Sequence, residues 1–148
     1  MSRPQSSSAG TVTFWLVTAA SALSLGCSDG RPERVAVSGV VKIDGVPLRD
    51  GFITLVPAKG RSSFGDIDDQ GRFTLTTYEP GDGAPIGVAK VEVVGRESLS
   101  ETQARWLAPK KYADRSTSEL EVEITEPTDG LEINLSWDGG KPFVETDG

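Results

Sequence analysis

The chain has no histidine, and among its 148 residues only one cysteine and one methionine. Without histidine it lacks the commonest general base, the commonest transition-metal ligand and any Ser-His or Cys-His nucleophile pair. A lone cysteine cannot form an internal disulfide, so the folded state depends on its hydrophobic core. Positive charge is also scarce: Lys and Arg number 15 against 22 Asp and Glu, a formal charge of −7. Such a surface repels nucleic acid and anionic lipid headgroups, and no nucleic-acid partner is expected. Serine and threonine are plentiful, but no Gly-x-Ser-x-Gly elbow, Ser-x-x-Lys constellation or phosphate-cradling loop organises them. No cofactor is implied. Long apolar runs are missing too, since the one sustained stretch, residues 11–25, is shorter than the roughly 20 residues of a comfortable membrane span.

What is present begins with that stretch. It follows Arg3 and ends in Leu23-Ser24-Leu25-Gly26-Cys27, which resembles the lipobox that bacterial lipoprotein signal peptidase cleaves just before a lipid-modified cysteine. The small Gly26 gives access to the scissile bond, and the Cys27 thiol is the nucleophilic sulfur that accepts diacylglycerol. The resemblance implies a signal peptide over residues 1–26, lipidation at Cys27 and a location in the bacterial cell envelope outside the cytoplasm. The membrane would be a partner through the lipid anchor. At about 0.8 kcal/mol per buried CH₂, two or three palmitate-length chains anchor stably. Removing residues 1–26 leaves 14 basic and 22 acidic residues, a side-chain charge of −8. Residues 27–34, with Gly30 and Pro32, read as a short polar tether.

From Val35 the apolar period becomes two. Val35, Val37, Gly39, Val41 and Ile43 fall on one side of a strand, and Asp44-Gly45 punctuates a turn. A run from Gly51 to Pro57 follows, then a strand from Ser62 to Ile67. Phe73, Leu75 and Thr77 alternate against Arg72, Thr74 and Thr76 across an Asp/Gly turn, a pattern that predicts a hairpin. Ala89, Val91 and Val93 share a phase, as do Leu120, Val122 and Ile124, and Leu131, Ile133, Leu135 and Trp137. Seven short strands with Gly, Pro and Asp turns predict an all-β fold, a seven-stranded antiparallel Greek-key β-sandwich over residues 35–137. Ser98-Leu99-Ser100-Glu101 has capping-box spacing, which predicts a short helix near residues 98–107. Residues 138–148 read as a flexible tail.

Turn and strand residues carry a family resemblance: Ser38-Gly39-Val40-Val41 through Asp44-Gly45-Val46-Pro47-Leu48, then Asp69-Gln70-Gly71-Arg72-Phe73-Thr74-Leu75, then Pro85-Ile86-Gly87. Their order resembles carboxypeptidase regulatory-like, transthyretin-like domains. Pro109-Lys110-Lys111-Tyr112-Ala113-Asp114 with Ser116-Thr117-Ser118-Glu119-Leu120 resembles the version found in small bacterial envelope lipoproteins. The resemblance covers about residues 35–135 and implies a transthyretin-like sandwich. It also implies either an accessory folding or docking role or the hydroxyisourate hydrolases of the same fold group, which need histidines this chain lacks. The expectation is a non-catalytic structural or binding module, with an envelope protein or glycan as partner. The competing expectation is a carboxylate- or metal-dependent hydrolase.

Few residues stand out as sites. Asp66, Asp68 and Asp69 are close enough in sequence to suggest an oxygen-rich calcium loop, but Asp and Gly also belong in hairpin turns. Glu119, Glu121 and Glu123 line one strand face, where a solvated stripe that discourages aggregation competes with a surface for a basic partner. Trp106 is a candidate stacking surface for a partner or sugar, against a role in covering the sandwich edge. Tyr112, beside Lys110 and Lys111, is a candidate recognition residue, against packing on the sandwich with its hydroxyl bonded.

Overall fold

β-branched residues at alternating positions, interrupted by Asp-Gly and Pro-Gly pairs, extend the chain and then turn it sharply. The computed structural model describes residues 30–146, and their regular secondary structure is almost entirely β. Cys27 and the segment 1–26 lie outside the described residues. The strands are β1 (Arg34–Val35), β2 (Val37–Ile43), β3 (Val46–Pro47), β4 (Gly51–Pro57), β5 (Ser63–Ile67), β6 (Arg72–Thr74) and β7 (Ala84–Pro85). They continue with β8 (Gly87–Val94), β9 (Arg96–Ser98), β10 (Gln103–Trp106), β11 (Glu121–Ile124), β12 (Thr128–Leu135) and β13 (Phe143–Thr146). The one helical element is a 3-10 turn, Lys110–Ala113, and among the described residues no helix could cross a membrane.

Two sheets form the sandwich. In the first, β2 runs between β12 on one side and β3 and β6 on the other; the second has the order β11-β8-β4-β5. The β2–β3 hairpin closes on Asp44 (φ 48°) and Gly45 (φ 82°), the two positive φ values a tight primed turn requires. Val37, Val41, Phe73, Leu75, Ile133 and Leu135 come from the first sheet and its extensions; Ile53, Leu55, Ile67, Ala89, Val91, Val93 and Ile124 come from the second. All are buried in one core, in the phase expected from the alternation.

The expected Asp/Gly hairpin forms: the Asp68 amide donates to the Arg72 carbonyl at the turn, and Phe64 and Thr76 exchange backbone hydrogen bonds farther along the arms. Between these links β5 pairs with β4 and β6 with β2, so the chain passes from one layer to the other at this hairpin. The pairing is also not wholly antiparallel, because β12 runs parallel to β2, from Thr128 beside Val37 to Leu135 beside Ile43. Gly39 permits that approach. A Cβ there would lie 1.9 Å from the Leu131 carbonyl oxygen and 2.9 Å from the Phe73 ring.

Two expectations are corrected. Residues 98–107 do not form a helix but belong to the β9–β10 hairpin, in which Ser100 Oγ accepts the Thr102 amide and the Gln103 carbonyl accepts the amides of Leu99 and Ser100. Residues 143–146, expected within a flexible tail, form β13 against β10.

Candidate interaction site around Trp106

The small sheet β13-β10-β9 places Trp106 opposite Phe143 on one side and Arg96 on the other, so all three side chains project from the same face. The Trp106 and Phe143 rings stack, with centroids 6.4 Å apart and planes inclined by 17°. Phe143 is 42% exposed, Val144 beside it is also exposed, and Trp106 is half-buried. Two cations cover the rings. The Lys110 ammonium lies 5.1 Å from the Trp106 centroid and 5.9 Å from that of Phe143, and the Arg96 guanidinium lies 5.9 Å from Trp106.

Glu145 fastens this assembly. The Trp106 indole Nε1 donates to its Oε2 at 2.7 Å, and Lys110 Nζ donates to Oε1. The hydrogen bond from Lys110, followed by that from Trp106, holds the Glu145 carboxyl below its ordinary range. Glu145 is therefore a fixed anion at neutral pH, suited to accepting hydrogen bonds and orienting the indole. On the opposite face Arg105 pairs with Glu97 at 3.1 Å, which ties β9 to β10. The result is an aromatic shelf with donors and an acceptor at its rim, chemistry that suits the apolar face and hydroxyls of a sugar or an amphipathic protein surface.

Tyr112 lies elsewhere. It is 6% exposed, its hydroxyl accepts the Ser136 amide at 3.1 Å and donates to the Ser136 carbonyl at 3.4 Å. It thus fastens the 3-10 turn to the end of β12, with Lys111 over its ring, and does not add to the Trp106 shelf.

Asp66, Asp68 and Asp69 are not gathered around a cation position. Asp68 Oδ1 accepts the amides of Gln70 and Arg72, each at 2.8 Å, which is hairpin-turn chemistry. Asp66 and Asp68 share a shallow hollow with Arg72, and among the described residues no group of three or more acidic or thiol side chains could hold a metal. Glu121 and Glu123 are exposed, and Glu121 faces Lys90 across the strand pair.

A second cluster has no counterpart in the sequence reading. The guanidiniums of Arg31, Arg34 and Arg61 lie 4.7, 5.0 and 5.4 Å from the centroid of the single ring of Tyr78. Asp82 accepts Arg34 Nε at 2.7 Å together with the amides of Thr77 and Tyr78. Burial pushes its pKa up, but the backbone donors Thr77, Glu79 and Tyr78 with Arg34 outweigh it and leave the carboxyl below 3.8. Comparison with protein-family models, curated proteins and solved structures returns no match to the chain.

Proposed function

We propose that this chain is a lipid-anchored lipoprotein of the bacterial cell envelope, whose transthyretin-like, non-catalytic sandwich serves as a binding module. Lipidation at Cys27 attaches it to the membrane, and the Trp106 shelf receives an envelope protein or glycan. The observation that carries the reading is the stacked Trp106–Phe143 pair, part-exposed, capped by Lys110 and Arg96 and fastened by Glu145. A part-exposed aromatic pair with charged donors and an acceptor at its rim matches an amphipathic partner surface or the apolar face of a sugar. The apolar run closed by Gly26-Cys27 supports the anchor.

The test places a photocrosslinking residue at position 143 or, as a control, at Asp69, in living cells. A specific envelope protein or glycan captured from position 143, and lost with Trp106→Ala, supports the module. Capture that is identical from both positions, or that survives Trp106→Ala, refutes the shelf. Reproducible hydrolase turnover by the purified protein, with or without Ca²⁺, overturns the non-catalytic reading. An acyl-chain analogue labels the wild type but not Cys27→Ala; equal labelling of both refutes the anchor.

A further inference from the structure

The arginine cluster around Tyr78 sits where the described chain begins. Arg31 and Arg34 belong to the first residues of the domain, and Arg61 reaches the same ring from the β4–β5 loop. A Cβ on Gly60 would lie 3.9 Å from the Pro32 ring, so that loop packs beside the N-terminal segment. Arg34 is committed to Asp82 at 2.7 Å, with its side chain only 21% exposed. Arg31 lies 3.9 Å from Glu79, whose side chain is largely exposed, and Arg61 has no ion pair among the described residues. Around Tyr78 the guanidiniums of Arg31, Arg34 and Arg61 meet the carboxylates of Glu79 and Asp82, which leaves one net positive charge beside the ring on a chain of net charge −7.

We propose that this end docks on the phosphates of anionic phospholipid headgroups, with Arg31 and Arg61 as the contacting groups and Arg34–Asp82 as the strut behind them. The inference rests on the proposed anchor at Cys27. Arg31 is four residue steps from Cys27, and an extended chain spans at most about 3.6 Å per step, so the tether reaches no more than about 14 Å. The domain is then held with its N-terminal end toward the bilayer. Guanidinium forks match phosphate oxygens, and a tyrosine ring suits the headgroup layer. Docking fixes the orientation and points the rest of the sandwich outward.

The experiment uses the protein as cells process it, purified in detergent and reconstituted into phosphatidylcholine vesicles with and without phosphatidylglycerol. Arginines are modified with phenylglyoxal and rates are read peptide by peptide. The expected result is a several-fold slowing at Arg31 and Arg61 that requires phosphatidylglycerol, with no change at Arg105 or Arg115. Arg61→Glu removes the protection at Arg31. Equal rates in both vesicles, or slowing at all arginines alike, overturns the proposal. Slowing that glycerol phosphate reproduces in phosphatidylcholine vesicles identifies a site for free phosphate esters and also overturns it. The intact mass separates the two readings. A protein without acyl chains refutes the anchor, and its co-sedimentation with phosphatidylglycerol vesicles, lost in Arg61→Glu, upholds the arginine end alone. Failure to co-sediment refutes both.

Discussion

Two buried hydroxyls join the layers of the sandwich, and their proton order makes an asymmetric prediction. Ser63 on β5 and Thr77 beyond β6 are 0% and 1% exposed, with their oxygens 2.8 Å apart. Thr77 Oγ1 donates to the Gly83 carbonyl at 2.7 Å, so its proton is committed and Ser63 must be the donor between the two hydroxyls. Thr77→Val keeps the side-chain shape but strands both the Ser63 donor and the Gly83 acceptor. At about 1–3 kcal/mol for each buried group left unpaired, the cost is about 2–6 kcal/mol. Ser63→Ala strands nothing that donates, because Thr77 keeps its own acceptor, and costs about 0.5–1.5 kcal/mol. With Ser63 already absent, Thr77→Val strands only Gly83, and the double variant is more stable than the sum of the singles predicts by about 1–3 kcal/mol. Urea unfolding followed by tryptophan fluorescence gives all three values. Equal costs for the two single variants, or simple additivity in the double, would refute the assigned proton order.

Phe73 is 3% exposed beside the exposed Thr74, so Phe73→Ala costs about 3–5 kcal/mol and Thr74→Ala little; equal shifts in the unfolding midpoint would show the strand phase to be wrong. Asp82 has a folded pKa below 3.8, so its stabilisation is complete above that unfolded value and disappears as pH falls through the folded one. Asp82→Asn therefore lowers stability at neutral pH and flattens the acid limb of the stability profile; an unchanged limb counts against the Arg34–Asp82 strut. Gly39→Ala forces its methyl into the Leu131 carbonyl, and hydrogen exchange should rise along both β2 and β12. Faster exchange confined to β2 would mean that the parallel pair tolerates the methyl.

Strand phase was legible because each core strand carries its own signal. Phe73, Leu75 and Thr77 point inward, as do Ala89, Val91 and Val93, and alternation requires no knowledge of partners. Partners were not legible. Nothing in Val37–Ile43 says that its neighbour is parallel, since that depends on a glycine that admits the Leu131 backbone from far along the chain. Ser98-Leu99-Ser100-Glu101 offers a helix cap locally, but pairing with β13 gives β10 hydrogen bonds along its whole length as a strand. The same distance hid the Trp106 shelf, because Phe143 and Glu145 are brought to Trp106 only by that pairing. Phe143-Val144-Glu145-Thr146 does alternate, but four residues are a weak periodic signal. The arginine cluster was less visible still, since three separated arginines and one tyrosine make no motif until the turn at Asp82 gathers them.

The parallel contact between β2 and β12 also bears on when the protein can fold. Val41 lies beside Ile133 and Ile43 beside Leu135, so one of the first core strands to leave the ribosome waits for one of the last. Until then β2 has an unfilled edge, and the first layer has only β3 and β6 against it. Such non-local closure carries its loop entropy before any packing rewards it, which places folding toward the slow end for small β domains, about milliseconds to seconds. Synthesis at about 5–20 residues per second leaves the nascent chain unclosed for several seconds. The first layer is therefore completed only when residues 128–135 have been made, and β2 must keep its open edge from mispairing until then.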